Sequence, residues 1–279
     1  MTGGFIDLGG VQLHHHITGP ENAPALLVLH GASTSYLEPY MALSTALEAY
    51  RVIWLDRPGL GWSERPAGPW SPGREAELIE HFLTAIGVPR VVVLGHSWGA
   101  AIALRLLMDF PQRTGGGVLI SPAARAWVGE AAGYNKMTGW PVIGPLISHV
   151  VAPVLGPVQL PKGVKSAFHP EPVPGGYIET ARLDRLFAPS VWKANAADMA
   201  RVNTHLAEQE TRYGEITQPV ILLAGPKDTV VRTSRHAEPV AKTLPRGELR
   251  LLPKAGHNLH HAYSHEVTQA VADVVARKR

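Results

Sequence analysis

Residues 90–108 read RVVVLGHSWGAAIALRLLM, two apolar runs on either side of a short glycine-bounded segment. The apolar run before Gly95 predicts a buried strand, and the run after Gly99 predicts a helix. The pentapeptide between them matches the pattern G-x-S-x-G, which places a serine on a sharp strand-to-helix turn. Glycine is expected at both ends because neighbouring chain passes too close for a Cβ. The sequence therefore predicts that Ser97 is held in a strained conformation with its hydroxyl projecting from the sheet.

A serine hydroxyl is a weak nucleophile, so catalysis by Ser97 requires a base and an acid that orients the base. In this chain order, both should follow the serine. Asp228 lies just after an apolar run at 219–223, and His257 lies just after another at 249–252. Open α/β sheets place their sites at the carboxyl ends of such strands. We therefore predict that Ser97, Asp228 and His257 are catalytic. The alternatives are a turn-forming Asp228 and a solvated His257.

The tetrapeptide HGAS at 30–33 also follows a strand-like run. An oxyanion hole needs one backbone N–H from the residue after the nucleophile and one from an early loop of this kind. Gly31 would allow the loop to approach the serine closely. The predicted donors are the N–H groups of Ala32 and Trp98.

Strand-like and helix-like segments alternate along the chain. Short, continuously apolar runs are typical of strands covered on both faces, as in a parallel sheet. Such runs lie at 25–29, 51–55, 90–94, 117–120, 219–223 and 249–252, and β-prone pieces on either side of Gly9-Gly10 predict an antiparallel hairpin. The regularity stops in a segment rich in proline and glycine. We predict an α/β core at 1–122 and 214–279, interrupted by a mostly helical cap at 123–213.

Together these motifs resemble the α/β-hydrolase family, and the resemblance covers nearly the whole chain. The segment DRPGLGWS at 56–63 is similar to the D-R-x-G-x-G-x-S loop of lid-bearing members. The resemblance implies a mostly parallel eight-stranded sheet flanked by helices, a variable cap, no cofactor and attack by the elbow residue. Asp56 and Arg57 are interpreted as an ion pair that stabilises the turn.

Two positions and one loop distinguish this chain from other branches of that family. Ser97 stands where haloalkane dehalogenases and epoxide hydrolases have aspartate, and Ser33 stands where many epoxide hydrolases have proline. The loop at 30–33 lacks the H-G-G-G of one lipase and esterase group. It also lacks the glycine-rich loop of the carbon–carbon hydrolases of aromatic degradation. The chain thus resembles an esterase-like member with a serine nucleophile.

These residues predict a two-step acyl transfer through an acyl-enzyme on Ser97. The expected substrate and partner is a small to medium carboxylic ester with an apolar part, because the cap and nearby loops carry many apolar and aromatic residues. An acyltransferase or perhydrolase, a carbon–carbon hydrolase and a non-catalytic ligand-binding module are the alternatives. The residues predicted to line the substrate pocket are His30, Gly31, Trp62, His96, Trp127, Tyr134, Met137 and Trp140.

Composition argues against several other functions. The 279-residue chain has a formal net charge of +3 with scattered basic residues, so no nucleic-acid partner is expected. It has no cysteine, which excludes disulfides and thiolate metal sites. The histidines at 14–16 would alternate faces in a strand, and His260, His261 and His265 are interpreted as a solvated helix face. We therefore expect no metal site and no cofactor.

The segment 137–161 has no charged residue across 25 positions, which is long enough to span a bilayer. Its five prolines would leave backbone groups unsatisfied in lipid, so no stable membrane insertion is expected. An apolar lid over the pocket is the preferred interpretation, and shallow membrane contact is the alternative. No secretory signal is visible at the N-terminus, so a cytoplasmic location is the default expectation.

Overall fold

The structure is a computed structural model that describes residues 2–127 and 132–277. Its strands are β1 (Gly4–Asp7), β2 (Gln12–Thr18), β3 (Ala25–Leu29), β4 (Arg51–Leu55), β5 (Val91–His96), β6 (Thr114–Ile120), β7 (Val220–Ala224) and β8 (Gly247–Leu251). Within the described residues they form one eight-stranded sheet in the order β1-β2-β4-β3-β5-β6-β7-β8. The pairs β1–β2 and β2–β4 are antiparallel, and the other pairs are parallel. The predicted sheet and its N-terminal hairpin are confirmed.

Helices connect the strands and fill the interruption of the core. They are α1 (Leu37–Leu43), α2 (Pro72–Ala85), α3 (Trp98–Asp109), α4 (Gly133–Thr138), α5 (Ile143–Leu146), α6 (Ala152–Phe168), α7 (Tyr177–Thr180), α8 (Pro189–Ala200), α9 (Val202–Glu210), α10 (Ala237–Thr243) and α11 (Ser264–Arg277). A π-helical turn at Ile147–Val151 joins α5 to α6, so that one continuous helix runs from Ile143 to Phe168. Helices α4–α9, called the cap helices below, all lie between β6 and β7.

The sheet is buried on both faces because its central strands are continuously apolar. Alternate residues of a strand point to opposite faces, and β3 shows the division. Leu27 and Leu29 belong to the core that α2 and α3 cover. Leu26 and Val28 belong to the core that α1 and α11 cover. The carboxyl ends of the parallel strands are thereby fixed along one edge of the sheet.

Helix α3 packs against the end of β3 with no room for a side chain at Gly99. A Cβ on Gly99 would lie 2.2 Å from the carbonyl oxygen of Leu29 and 2.5 Å from that of His30. A Cβ on Gly95 would likewise lie 2.7 Å from Ala100 Cα. Side chains cannot approach backbone this closely in a packed interior, so both positions require glycine, as predicted.

The predicted ion pair between Asp56 and Arg57 is wrong. The Asp56 carboxylate accepts a hydrogen bond from the Tyr36 N–H at 2.9 Å and lies 2.8 Å from His14 Nδ1. Burial raises the pKa of Asp56, although hydrogen bonds from His14 and the backbone oppose this effect. The Arg57 side chain instead contacts Glu75. The two neighbours in sequence therefore have different partners, which their adjacency does not reveal.

Arg57 connects the core to the cap helices. Its Nε lies 2.7 Å from Glu75 Oε1, and its Nη2 lies 3.0 Å from Glu75 Oε2. Asp198 of α8 lies 3.4 Å from the same Nη2 and accepts hydrogen bonds from Arg65 at 2.8 and 3.0 Å. Both Arg57 and Glu75 are buried. This guanidinium therefore neutralises carboxylates on two helices that are far apart in sequence.

The Arg57→Met variant should lose about 3–5 kcal/mol of unfolding free energy, because it leaves the Glu75 carboxylate buried without a countercharge, with only the Trp70 Nε1–H donating to it. Urea unfolding followed by circular dichroism measures this loss. Arg182→Met is the matched control, since the pair that Arg182 forms with Asp184 is exposed to solvent. The control should unfold like the wild type. An Arg57→Met protein as stable as the control would contradict the structural role given to Arg57.

The Gly99→Ala variant should lose about 3 kcal/mol or more of unfolding free energy, because its Cβ would collide with the carbonyl oxygens of Leu29 and His30. Gly214→Ala is its control, since nothing lies within 4 Å of a Cβ built there. The control should stay within about 0.5 kcal/mol of the wild type. Equal melting temperatures for the two variants would show that α3 does not approach β3 as described.

Candidate active site

Ser97 occupies the turn between β5 and α3. Its backbone angles are φ 53° and ψ −118°, and non-glycine residues rarely adopt a positive φ. The turn is held by hydrogen bonds from the Ser97 N–H to the Ile120 carbonyl (2.9 Å) and from the Ala123 N–H to the Ser97 carbonyl (3.1 Å). The Ser97 side chain lines a cavity. The surrounding packing therefore holds a strained serine at the cavity wall.

Asp228 and His257 lie on the loops that follow β7 and β8. His257 Nδ1 is 2.8 Å from Asp228 Oδ2. Because an ionised carboxylate only accepts hydrogen bonds, Nδ1 is the donor. The other oxygen, Oδ1, accepts hydrogen bonds from the N–H groups of Val230 (2.8 Å) and Val231 (2.7 Å). These contacts fix the position of the carboxylate and of the imidazole ring. Because Nδ1 carries the proton in the neutral ring, Nε2 can accept a proton.

The structure places Ser97 and His257 on the wall of the same cavity. Among residues 2–127 and 132–277, no hydrogen bond joins the two side chains directly. Hydrogen bonds between a nucleophile and its base are often long without substrate and shorten when substrate binds. The geometry thus brings together the three residues predicted to be catalytic, with one close contact formed.

Two backbone N–H groups near Ser97 are available to an anion. Within the described chain, neither Ala32 nor Trp98 donates its N–H to a protein acceptor. Trp98 is the first residue of α3, where N–H groups lack partners inside the helix. The loop that carries Ala32 is close to the serine, since a Cβ on Gly31 would lie 3.3 Å from Ser97 Cβ. Both predicted oxyanion donors therefore lie beside Ser97 without an internal partner.

Two side chains hold the backbone of His257 in place. The Ser121 hydroxyl donates to the His257 carbonyl at 2.8 Å, and His96 Nε2 lies 3.3 Å from the same oxygen. Burial, together with the neighbouring His260, holds the pKa of His96 well below its usual value. A neutral His96 that donates through Nε2 therefore supports His257 and lines the cavity, as predicted for its position beside Ser97.

The interpretation of His260 and His261 as a solvated helix face is wrong. Glu38 Oε1 accepts hydrogen bonds from His260 Nε2 at 2.7 Å and from His261 Nε2 at 2.8 Å. Both rings belong to a 3₁₀ turn at Leu259–His261, and α11 begins only at Ser264. Burial alone would raise the pKa of Glu38, but the charge of His260 and the hydrogen bonds from both histidines hold it well below the usual value.

Glu38, His260 and His261 offer three possible ligand atoms within 4.8 Å of one another. A metal-bound imidazole usually donates its second ring N–H to a fixed acceptor. His260 Nδ1 is buried and has no hydrogen-bond partner among the described residues. The donor set therefore fits a hydrogen-bonded carboxylate better than a metal centre.

A cavity of about 820 Å³ extends from Ser97 to the cap helices. This volume is typical of sites for drug-sized ligands. Its polar wall contains Glu38 and His96 beside Ser97 and His257, and apolar side chains of the cap helices form most of the remainder. Of the residues predicted to line the pocket, the structure places Gly31, His96, Tyr134 and Met137 on this wall.

His30 was predicted to line the pocket, but it lies behind the cavity wall. Its Nε2 accepts a hydrogen bond from the Arg57 N–H at 3.0 Å, and its Nδ1 donates to the Gly31 carbonyl at 2.9 Å. Burial, reinforced by the charge of Arg57, lowers the pKa of His30 to about 3. His30 is therefore a neutral side chain that joins two loops.

Three tryptophans predicted to line the pocket have other environments. The guanidinium of Arg185 stacks over the Trp62 ring, with Cζ 4.7 Å from the ring centre. Trp127 packs against His236, with ring centres 4.6 Å apart. Trp140 is 52% exposed. The sequence indicated an aromatic-rich neighbourhood, and only the tertiary structure shows which rings reach the cavity.

Sequence reasoning missed other cavity residues, among them Glu38, Tyr177, Phe187 and Trp192. Glu38 lies one short turn after the HGAS loop, so its position in the chain was a usable signal. Phe187 ends a 3₁₀ turn, and Trp192 lies near the start of α8. No regular apolar spacing marks either residue, so the sequence offers no comparable signal for them.

The sequence pattern described as the Alpha/beta hydrolase family matches residues 26–274. A 118-residue segment is 30% identical to the dihydrolipoyllysine-residue acetyltransferase component of the acetoin cleaving system of Cupriavidus necator, covering 42% of this chain and 31% of that protein. A 105-residue segment is 30% identical to epoxide hydrolase 4 of Mus musculus, covering 37% of this chain and 29% of that protein. The matches thus span less than a third of either relative.

Solved structures share the fold over the whole chain. The enol-lactonase from Burkholderia xenovorans superimposes with a TM-score of 0.78 at 18% identity, covering 98% of this chain and 100% of that one. The resemblance inferred from the motifs is confirmed by the family pattern, which covers far more than half of the sequence. This chain therefore belongs to the alpha/beta hydrolase family.

Proposed function

We propose that this protein is a serine hydrolase that cleaves small to medium carboxylic esters with an apolar part. The observation that carries the proposal is the 2.8 Å contact from His257 Nδ1 to Asp228 Oδ2, at a cavity that His257 shares with Ser97. An imidazole oriented by a carboxylate is the base that a serine nucleophile needs. The apolar wall supplied by the cap helices supports a substrate with an apolar part.

In the first step, His257 Nε2 takes the proton of the Ser97 hydroxyl as the oxygen attacks the ester carbonyl. The tetrahedral oxyanion receives hydrogen bonds from the N–H groups of Ala32 and Trp98. Each donor would lower the barrier by about 3 kcal/mol. The imidazolium then gives its proton to the departing alcohol, which leaves an acyl group on Ser97. Asp228 stabilises the imidazolium and keeps Nδ1 protonated.

In the second step, a water molecule loses its proton to His257 Nε2 and attacks the acyl carbonyl. The same two N–H groups hold the second oxyanion. Its collapse returns the proton to Ser97 and releases the carboxylic acid. The cycle thus requires the chain's own side chains and water.

The Ser97→Ala variant should lose hydrolysis of p-nitrophenyl butyrate by at least about a thousandfold in kcat, because no nucleophile remains at the turn. Release of nitrophenol, followed by absorbance, measures this loss. Ser148→Ala is the control, since the Ser148 hydroxyl bonds within its own helix to the Gly144 carbonyl at 2.9 Å.

The control should turn over the ester like the wild type, and circular dichroism should show both variants folded. A purified Ser97→Ala protein that keeps ester turnover would overturn the proposal. Wild-type protein that cleaves the matching amide in preference to the ester would overturn the substrate class.

A further inference from the structure

The helix from Ile143 to Phe168 has an apolar face that points away from the protein. Only 22% of its most apolar 18-residue stretch is buried. Residues four apart share one side of a helix, and the solvent-facing side carries aliphatic residues at that spacing. They are Leu146, Val150, Val154 and Val158, with exposed fractions from 52% to 73%, and Val142, which is 84% exposed, directly precedes the helix. A helix that is apolar towards both the protein and the solvent indicates a partner for its outer face.

The inner side of the same helix faces the cavity. Ala152, Gly156 and Val164 line its wall, and a Cβ on Gly156 would lie 2.1 Å from Phe187. The helix therefore stays attached to the protein by one side. It cannot cross a bilayer without leaving the cavity wall, so the outer face must contact its partner lengthwise.

Charge on the outer face favours an anionic partner, because residues 132–170 contain no aspartate or glutamate. Glu179 and Asp184 lie beside Pro157 and Pro161 in a separate groove that also contains Arg185, and Asp184 is paired with Arg182. The 143–168 helix carries Lys162 and Lys165, both exposed. Trp140, at the other end, is also exposed. An apolar stripe beside lysines and an exposed tryptophan is typical of helices that lie in the interface of anionic membranes.

The apolar face is continuous with the mouth of the cavity. Val151 and Leu155 line the cavity and are also exposed, by 39% and 57%. Tyr134 and Met137 of α4 also line the cavity and are exposed to solvent. An ester dissolved in a lipid layer against this face would reach the cavity without crossing water.

We propose that the outer face of the 143–168 helix docks on an anionic phospholipid surface, from which the cavity takes its ester. The second part rests on the proposed function, and the docking does not. A second copy of this chain fits the face less well, because residues 132–170 of the second copy offer no aspartate or glutamate to pair with the exposed Lys162 and Lys165.

Sedimentation of the full chain with vesicles tests the docking. Wild-type protein should bind vesicles of phosphatidylcholine mixed with phosphatidylglycerol, and bind vesicles of pure phosphatidylcholine less. Val154→Ser/Val158→Ser changes two exposed residues that do not line the cavity, and should weaken binding by about tenfold or more. Leu251→Ser is the control, since it removes a side chain 49% exposed from β8 and should bind like the wild type.

The charge contribution has its own variant. Lys162→Glu/Lys165→Glu should weaken binding to the mixed vesicles by about tenfold or more. This variant should then bind the mixed vesicles no more tightly than vesicles of pure phosphatidylcholine. Wild-type protein that does not sediment with the mixed vesicles would overturn the docking. A wild-type dimer, seen by light scattering, would also overturn the docking if the wild type bound no vesicles and the Val154→Ser/Val158→Ser variant were monomeric. The face would then bind a second copy of the chain.

Hydrolysis of p-nitrophenyl butyrate in solution separates the two proposals. Val154→Ser/Val158→Ser should cleave this soluble ester like the wild type, and lose at least about tenfold in rate on a long-chain ester held in the mixed vesicles. Vesicle binding without any ester turnover would uphold the docking and overturn the proposed function. Equal rates for the variant and the wild type on the vesicle-held ester would overturn the delivery of substrate from the lipid.

Discussion

The geometry of the site follows from the close approach of α3 to the end of β3. With Gly99 against the Leu29 carbonyl, the chain must turn sharply after β5, and Ser97 takes a positive φ. The same contact brings the HGAS loop beside the serine, and the Trp98 N–H, at the start of α3, has no partner inside the helix. One packing contact thus positions both the Ser97 side chain and the Trp98 N–H, which the proposed mechanism uses as nucleophile and oxyanion donor.

Two buried charged side chains near the cavity, Arg57 and Glu38, have partners from distant parts of the chain. Arg57 neutralises Glu75 on one side and contacts Asp198 of α8 on the other. Glu38 likewise accepts hydrogen bonds from His260 and from His261. Removing one member of such a pair costs more than the pair contributes, because the other is left uncompensated in a medium of low dielectric. These pairs therefore favour a single arrangement of the loops around the cavity.

The sheet and the turn at Ser97 could be predicted from the sequence because both depend on local patterns. Apolar runs mark the strands, and one pentapeptide marks the turn. The cavity wall could not be predicted in the same way. Glu38 and His260 are 222 positions apart in sequence, and no local pattern connects them. Trp62 and Trp127 lie on segments that the sequence places close to the pocket. Their rings pack against Arg185 and His236 instead, and this tertiary contact cannot be read from the sequence.

In the proposed mechanism, the strained turn holds Ser97 as a nucleophile that His257 activates. A fluorophosphonate probe reports the reactive oxygen itself, and mass spectrometry of the intact protein and of its peptides locates the phosphonyl group. We expect one phosphonyl group per chain, bound to Ser97. A protein that gains no such group, or gains it on another residue while Ser97 stays unmodified, would show that Ser97 is not the nucleophile.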